Sequence, residues 1–180
     1  MRFGFDLNSW MAFGSVIVGT VALYRDLRYR KIPNWLTFPA MLLGSALNAA
    51  FTDQAWYFSL FGMLIGFLLF LLPFLLGGIG AGDVKLLMAL GAFLGAKPVF
   101  WVGLYGGVAG GLLSLLAIII HQNGLLEVKR SLVLLVASIW DKDIRRELFG
   151  PDQTSKLNIP YGLAIFIGLI IGLIWGPLWE

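Results

Sequence analysis

The chain has 180 residues, 59% of them hydrophobic and 13% charged, with a mean hydropathy of +0.86. Soluble domains carry about 45–50% apolar and about 25% charged residues, so 13 basic and 10 acidic side chains are too few to clothe a water-facing surface of this size. An ordinary cytosolic enzyme and a disordered chain are both excluded, and the expectation is one membrane-embedded domain over residues 1–180. The 23 glycines and 14 phenylalanines fit helices packed closely in lipid. Zero cysteines exclude a disulfide framework, a thiolate metal site and a cysteine nucleophile, and His121 alone makes neither a histidine metal cluster nor a Ser-His-Asp triad. No metal and no cofactor are expected. The net charge of +3 contains no long basic tract, so it reads as membrane topology and not as a nucleic-acid surface.

In chain order, apolar stretches run from Ser9 to Leu23, Trp35 to Phe51, Trp56 to Leu76, Val84 to Ala96, Pro98 to Ile120 and Ile159 to Trp179. A spanning helix needs about 20 mostly apolar residues, which the third, fifth and sixth supply directly and the first reaches if it starts near Phe3. The fold expected is therefore all-α, a polytopic membrane protein with six transmembrane helices. Residues 121–158 form a cytoplasmic loop, and within it 125–140 reads as an amphipathic helix lying on the bilayer surface. The bias of basic residues toward the inside sets the orientation. With the loop after the first span in the cytoplasm, Arg25, Arg28, Arg30, Lys31, Lys85, Lys129, Arg130, Lys142, Arg145, Arg146 and Lys156 fall inside, and only Arg2 and Lys97 remain outside. Both termini then lie outside, and the first span is a retained anchor, since its positive flank follows it and a cleaved signal peptide would have that flank in front. Trp and Tyr cluster at the span ends, as interfacial anchors do.

Acidic residues at membrane depth carry the most information, because an Asp at a helix centre costs about 2.5–3.5 kcal/mol on insertion scales. Asp6, Asp53 and Glu180 fall outside, and Glu127, Asp141, Asp143, Glu147 and Asp152 belong to the long loop, which leaves Asp26 and Asp83. Asp83 follows Gly77-Gly78-Ile79-Gly80-Ala81-Gly82. Four glycines in six residues break a helix and allow positive φ and close backbone approach. The stretch after it, Val84 to Ala96, covers about 20 Å of a hydrocarbon core about 30 Å thick, which sets Asp83 below the cytoplasmic surface if Lys97 marks the outer boundary. Asp26 lies at the cytoplasmic end of the first span. Two carboxyl groups on one face that come close enough to share a proton split into a base and an acid, which activate water and protonate a peptide carbonyl. Taken singly, Asp26 also suits a surface ion pair with Arg25 or Arg28, and Asp83 suits a helix N-terminal cap.

Gly80-Ala81-Gly82-Asp83 reads as the GxGD motif of intramembrane aspartic proteases, and with Val84, Lys85 and Leu86 it resembles the type IV prepilin peptidase family in particular. Asp26 with Ile32-Pro33-Asn34 resembles the family's first catalytic aspartate and the Ile-Pro-Asn after it, and Ile159-Pro160-Tyr161-Gly162 resembles the Pro-Tyr-Gly that opens the family's last helix. The resemblance implies catalytic Asp26 and Asp83, with Gly80, Gly82, Lys85, Pro33, Asn34 and Pro160 shaping the site or meeting substrate. It implies an aspartic endopeptidase of the cell (inner) membrane, active toward the cytoplasm, that removes a short basic leader from prepilin or pilin-like proteins. Many members also methylate the new N-terminus and carry an insert with paired cysteines. With zero Cys and 25 residues before Asp26, the chain is similar to short stand-alone peptidases of tight-adherence pilus systems or of archaeal flagellin-like filaments, the former resembling it more, and methyltransferase activity is not expected.

Lys85 either touches substrate or the carboxylates, or extends its ammonium to the interface. Pro160 suits the first position of the last helix, and His121 suits an interfacial role. Two other readings stay open at this point: a small proton- or ion-coupled transporter, which also uses acids and broken helices, and a non-catalytic membrane component of a pilus or secretion machine.

Overall fold

The computed structural model describes residues 9–51, 57–75, 78–120 and 161–175. Among these residues there are six α-helices and no strand: α1 (Ser9–Tyr29), α2 (Asn34–Phe51), α3 (Tyr57–Leu75), α4 (Ala81–Leu94), α5 (Ala96–Ile120) and α6 (Tyr161–Trp175). The expected loop 121–158 with its helix at 125–140, His121 and Pro160 lie outside the described residues. Helices α1–α4, α5 as far as Gly110, and α6 form one compact unit, while α5 from Gly111 onward belongs to a second.

Helix α1 runs two turns beyond the apolar stretch that ends at Leu23, so Asp26 is a helical residue near its C-terminus. Arg30 stops it with φ 51°, and the Arg30 amide donates to the Asp26 carbonyl at 2.8 Å. The chain then turns through Ile32-Pro33, a proline that cannot continue a preceding helix. The Pro33 carbonyl accepts the amides of Leu36 at 3.1 Å and Thr37 at 3.4 Å and so opens α2.

Helix α4 starts three residues before the expected stretch and ends at Gly95, whose φ of 80° suits a residue without a side chain. Only Gly95 separates α4 from α5, so Lys97 sits in the first turn of α5, beside the turn between the two helices. At about 1.5 Å per residue α4 is about 21 Å long, shorter than a hydrocarbon core. Its surroundings explain why this suffices. It packs against α1, α2, α3 and α6 and buries Asp83, Val84, Leu86, Leu87, Leu90, Phe93 and Leu94. A helix apolar on every side and walled by neighbours is a core helix, and its length need not match the lipid.

The close contact between α3 and α4 depends on glycines one turn apart. A Cβ at Gly62 would run into the Gly91 carbonyl, and one at Gly66 would lie 2.7 Å from the Leu87 oxygen. At the far end of α4, the Asn48 side-chain amide donates to the Ala92 oxygen at 2.8 Å and to the Phe93 oxygen at 3.2 Å, and Ser59 Oγ donates to Ala92 at 2.8 Å. These bonds satisfy carbonyls that the helix end leaves without partners.

The outer face is apolar. Leu60, Leu64, Leu68 and Leu72 recur every four residues along α3, and all are exposed, as are Leu104 and Val108 of α5. Two helices, Tyr57–Leu75 and the Ala96–Leu116 stretch of α5, are long and apolar enough to cross a membrane, and only 22% and 33% of them is buried inside the molecule. Among the described residues the other helices are too short or too polar for that standard: α4 is the enclosed core helix, and α1 carries Arg25, Asp26 and Arg28 in its last turns.

Candidate active site

The C-terminus of α1 and the N-termini of α2, α4 and α6 meet at one end of the first unit, joined by hydrogen bonds between residues far apart in sequence. Asp26 points from α1 into this junction and is 7% exposed. Its Oδ2 accepts the backbone amide of Gly162, second residue of α6, at 2.7 Å. Asp83, in the first turn of α4, is 8% exposed, and its Oδ2 accepts the amide of Gly80 at 3.0 Å. That second bond is the helix cap the sequence allowed for, made from the third helical position back to the residue before the helix. The Asp26 carboxyl group is near enough to Asp83 to act on it electrostatically, and Arg30 acts on Asp26 in the same way.

Of the two roles expected of the glycines before Asp83, positive φ and close backbone approach, the second is the one seen. Gly80 is extended (φ −85°, ψ 155°), and Gly95 is the one glycine among the described residues with positive φ. Room, and not backbone twist, is what the motif needs. A Cβ at Gly82 would lie 3.0 Å from Ile32 Cβ and 3.3 Å from the Ile32 oxygen, and a Cβ at Gly80 would lie 3.2 Å from Asp83 Oδ2. Gly82 therefore lets the start of α4 slide under the turn between α1 and α2, which carries α4 and Asp83 up to the end of α1 where Asp26 sits.

Lys85 donates from Nζ to Asn34 Oδ1 at 2.9 Å and lies 5.4 Å from the Phe38 ring centroid. It thus ties α4 to the start of α2, and no bond from it to either carboxylate is seen among the described residues. Pro33 acts through its carbonyl at the head of α2. The Arg25 guanidinium stacks 4.5 Å from the Tyr29 ring centroid and 5.5 Å from that of Trp35, and its buried Nε has no hydrogen-bond partner among the described residues. Among those residues no three His, Cys, Asp or Glu side chains gather as a metal would require. Two residues of the quoted motifs have closer roles than the sequence assigned them. Gly162 holds Asp26, and Ile32 receives Gly82; the glycine of Pro-Tyr-Gly was the available signal for the first.

The family model of the type IV leader peptidase family (Peptidase_A24) matches residues 13–115, more than half the chain and inclusive of both aspartates. The chain belongs to the type IV leader peptidase family. Among curated relatives, a prepilin leader peptidase/N-methyltransferase of Xanthomonas campestris is 32% identical over 188 aligned residues, covering 97% of this chain and 53% of the relative. A protein of the same name from Burkholderia pseudomallei is 36% identical over 99 residues, 51% of this chain and 32% of its own length. One from Bacillus subtilis is 26% identical over 121 residues, 66% of this chain and 49% of its own length. The chain spans about half the length of the Xanthomonas relative or less of the others. No solved structure matches this leader peptidase family member at a significant level.

Proposed function

We propose that this leader peptidase family member is an aspartic endopeptidase of the cell membrane that removes the short basic leader from type IV prepilin-like proteins at the cytoplasmic face. The observation that carries this reading is the convergence of Asp26 and Asp83, brought from α1 and α4 into one junction where both are buried and Asp26 acts electrostatically on Asp83. Packing alone gives a passive bundle little reason to bring two buried carboxyl groups to one junction, where repulsion between them costs stability. Such an arrangement is what water-activating catalysis needs.

One aspartate, ionised, takes a proton from water as the water oxygen attacks the scissile carbonyl carbon, while the other, protonated, gives its proton to the carbonyl oxygen. The tetrahedral intermediate then collapses: the C–N bond breaks, the leaving amine takes a proton from the aspartate that had received one, and a hydroxyl of the intermediate returns its proton to the other aspartate as the carbonyl re-forms. The leader departs with a free carboxylate and the pilin-like chain with a free amine. The substrate's apolar segment rests among helices whose outer faces are apolar, its leader stays in the cytoplasm, and small residues at the scissile bond ease local unwinding. All six helices span the bilayer in this reading, with α4 crossing inside a jacket of its neighbours.

The test is incubation of the purified protein in lipid vesicles with prepilin-like substrates that carry a basic leader ending in Gly before an apolar segment, followed by mass analysis. Two products are expected, and the mature chain carries an unmodified amine. Intact substrate across such a panel contradicts the proposal, and a mature chain heavier by one methyl group contradicts its restriction to proteolysis.

A further inference from the structure

We propose that Gly162 is a positioning residue for catalysis: its backbone amide pins Asp26 Oδ2, leaving Oδ1 as the oxygen that meets water and the second carboxyl group. The inference rests on the peptidase reading and extends it to a residue beyond the matched region 13–115.

The two aspartates are held in parallel ways. Each carboxyl group accepts, on Oδ2, the amide of a glycine at the start of a helix: Gly162 in α6 at 2.7 Å for Asp26, and Gly80 ahead of α4 at 3.0 Å for Asp83. First-turn amides have no acceptor within their own helix, so they can be spent on a neighbouring carboxylate at no cost to the helix. Neither glycine is required by its backbone conformation, since positive φ among the described glycines is confined to Gly95. What demands glycine is the carboxylate itself. A Cβ at position 162 would lie 2.8 Å from Asp26 Oδ2, 2.9 Å from its Cβ and 3.1 Å from its Cγ, whereas one at position 80 would come no nearer than 3.2 Å to Asp83 Oδ2. Any larger residue at 162 must push the whole Asp26 side chain aside. A fold that wanted only to end a loop and begin α6 has no need of so close an approach. Held by one oxygen, the Asp26 carboxyl group loses its freedom to rotate away from Asp83. That is the preorganisation a shared-proton pair requires.

The experiment compares wild type, Gly162→Ala, Asp26→Asn and, as a control, Gly107→Ala, whose added Cβ would meet nothing within 4 Å. Cleavage of a prepilin-like substrate is followed at several concentrations in vesicles. Gly162→Ala is expected to lower kcat by about 10- to 100-fold, the scale of a displaced catalytic group, with KM held within about twofold. Gly107→Ala keeps both constants. Unchanged kcat in Gly162→Ala, or a fall matched by an equal change in KM and in thermal midpoint, overturns the positioning role, because a packing residue behaves in that way. Cleavage that survives in Asp26→Asn overturns the peptidase reading as well, whereas cleavage lost there and intact in Gly162→Ala overturns the positioning role alone. If Gly162→Ala does not fold, amide spectra of the ¹⁵N-glycine-labelled chain decide. The Gly162 amide signal is expected to move when Asp26 becomes Ala, and a stationary signal overturns the proposal.

Discussion

Lys85 and Asn34 lie far apart in sequence, and the 2.9 Å bond between them shows how the site is tied at the level of single residues. Lys85 was open to two readings, contact with substrate or carboxylates and extension to the interface, and the structure gives it a third partner on α2. Helical spacing within α4 carries no information about which residue of another helix a lysine will reach. If the bond serves to tie α2 to α4, Lys85→Ala and Asn34→Ala each lower stability in mixed micelles by no more than about 1 kcal/mol, because the bond is exposed. The double variant then loses no more than the larger of the two. A double-mutant cycle on unfolding checks this, and additive losses separate the two residues. The glycines teach a related lesson. Their clustering before Asp83 and close approach as a reason for it were plain in the sequence, but the partner was not, because contact with Ile32 depends on a turn about fifty residues upstream.

At the level of helices, the apolar pattern located all six elements to within a few residues, except that charged Arg25, Asp26 and Arg28 concealed the last turns of α1. What the pattern did not reveal is that α4 is the hub. Its shortness looked like a deficit against bilayer thickness, and it is instead a consequence of enclosure by α1, α2, α3 and α6. The α3–α4 contact gives the strongest prediction here. Gly62→Ala places a Cβ against the Gly91 carbonyl, backbone that cannot step aside, and is expected to destabilise the fold by about 1–3 kcal/mol or more, read as a lowered midpoint in thermal unfolding. Asn48→Leu removes the donor to Ala92 and Phe93, leaving Ala92 to Ser59 alone and the Phe93 carbonyl without its Asn48 donor, at a cost of about 1–3 kcal/mol. A midpoint equal to wild type in either variant contradicts the packing described for α4.

For the whole molecule, orientation and chemistry both have direct readouts. The chain has no native cysteine, so single cysteines can be introduced without background. Lys31→Cys, beside the site, is expected to react with an impermeant thiol reagent only from the cytoplasmic side, and Lys97→Cys, at the opposite end of the bundle, only from outside. Labelling of both from one side contradicts the topology. Catalysis by one ionised and one protonated aspartate also requires a bell-shaped pH profile of kcat/KM: activity falls on the acid side as the base gains a proton and on the alkaline side as the acid loses its own. The most direct test of the central claim compares cleavage rates of wild type, Asp26→Asn, Asp83→Asn and the double variant, each confirmed as folded and inserted. If the two carboxyl groups work as one unit, each single substitution lowers the rate by about 10²- to 10⁴-fold or more, and the double variant is no slower than either. Substantial cleavage by either single variant would contradict the account.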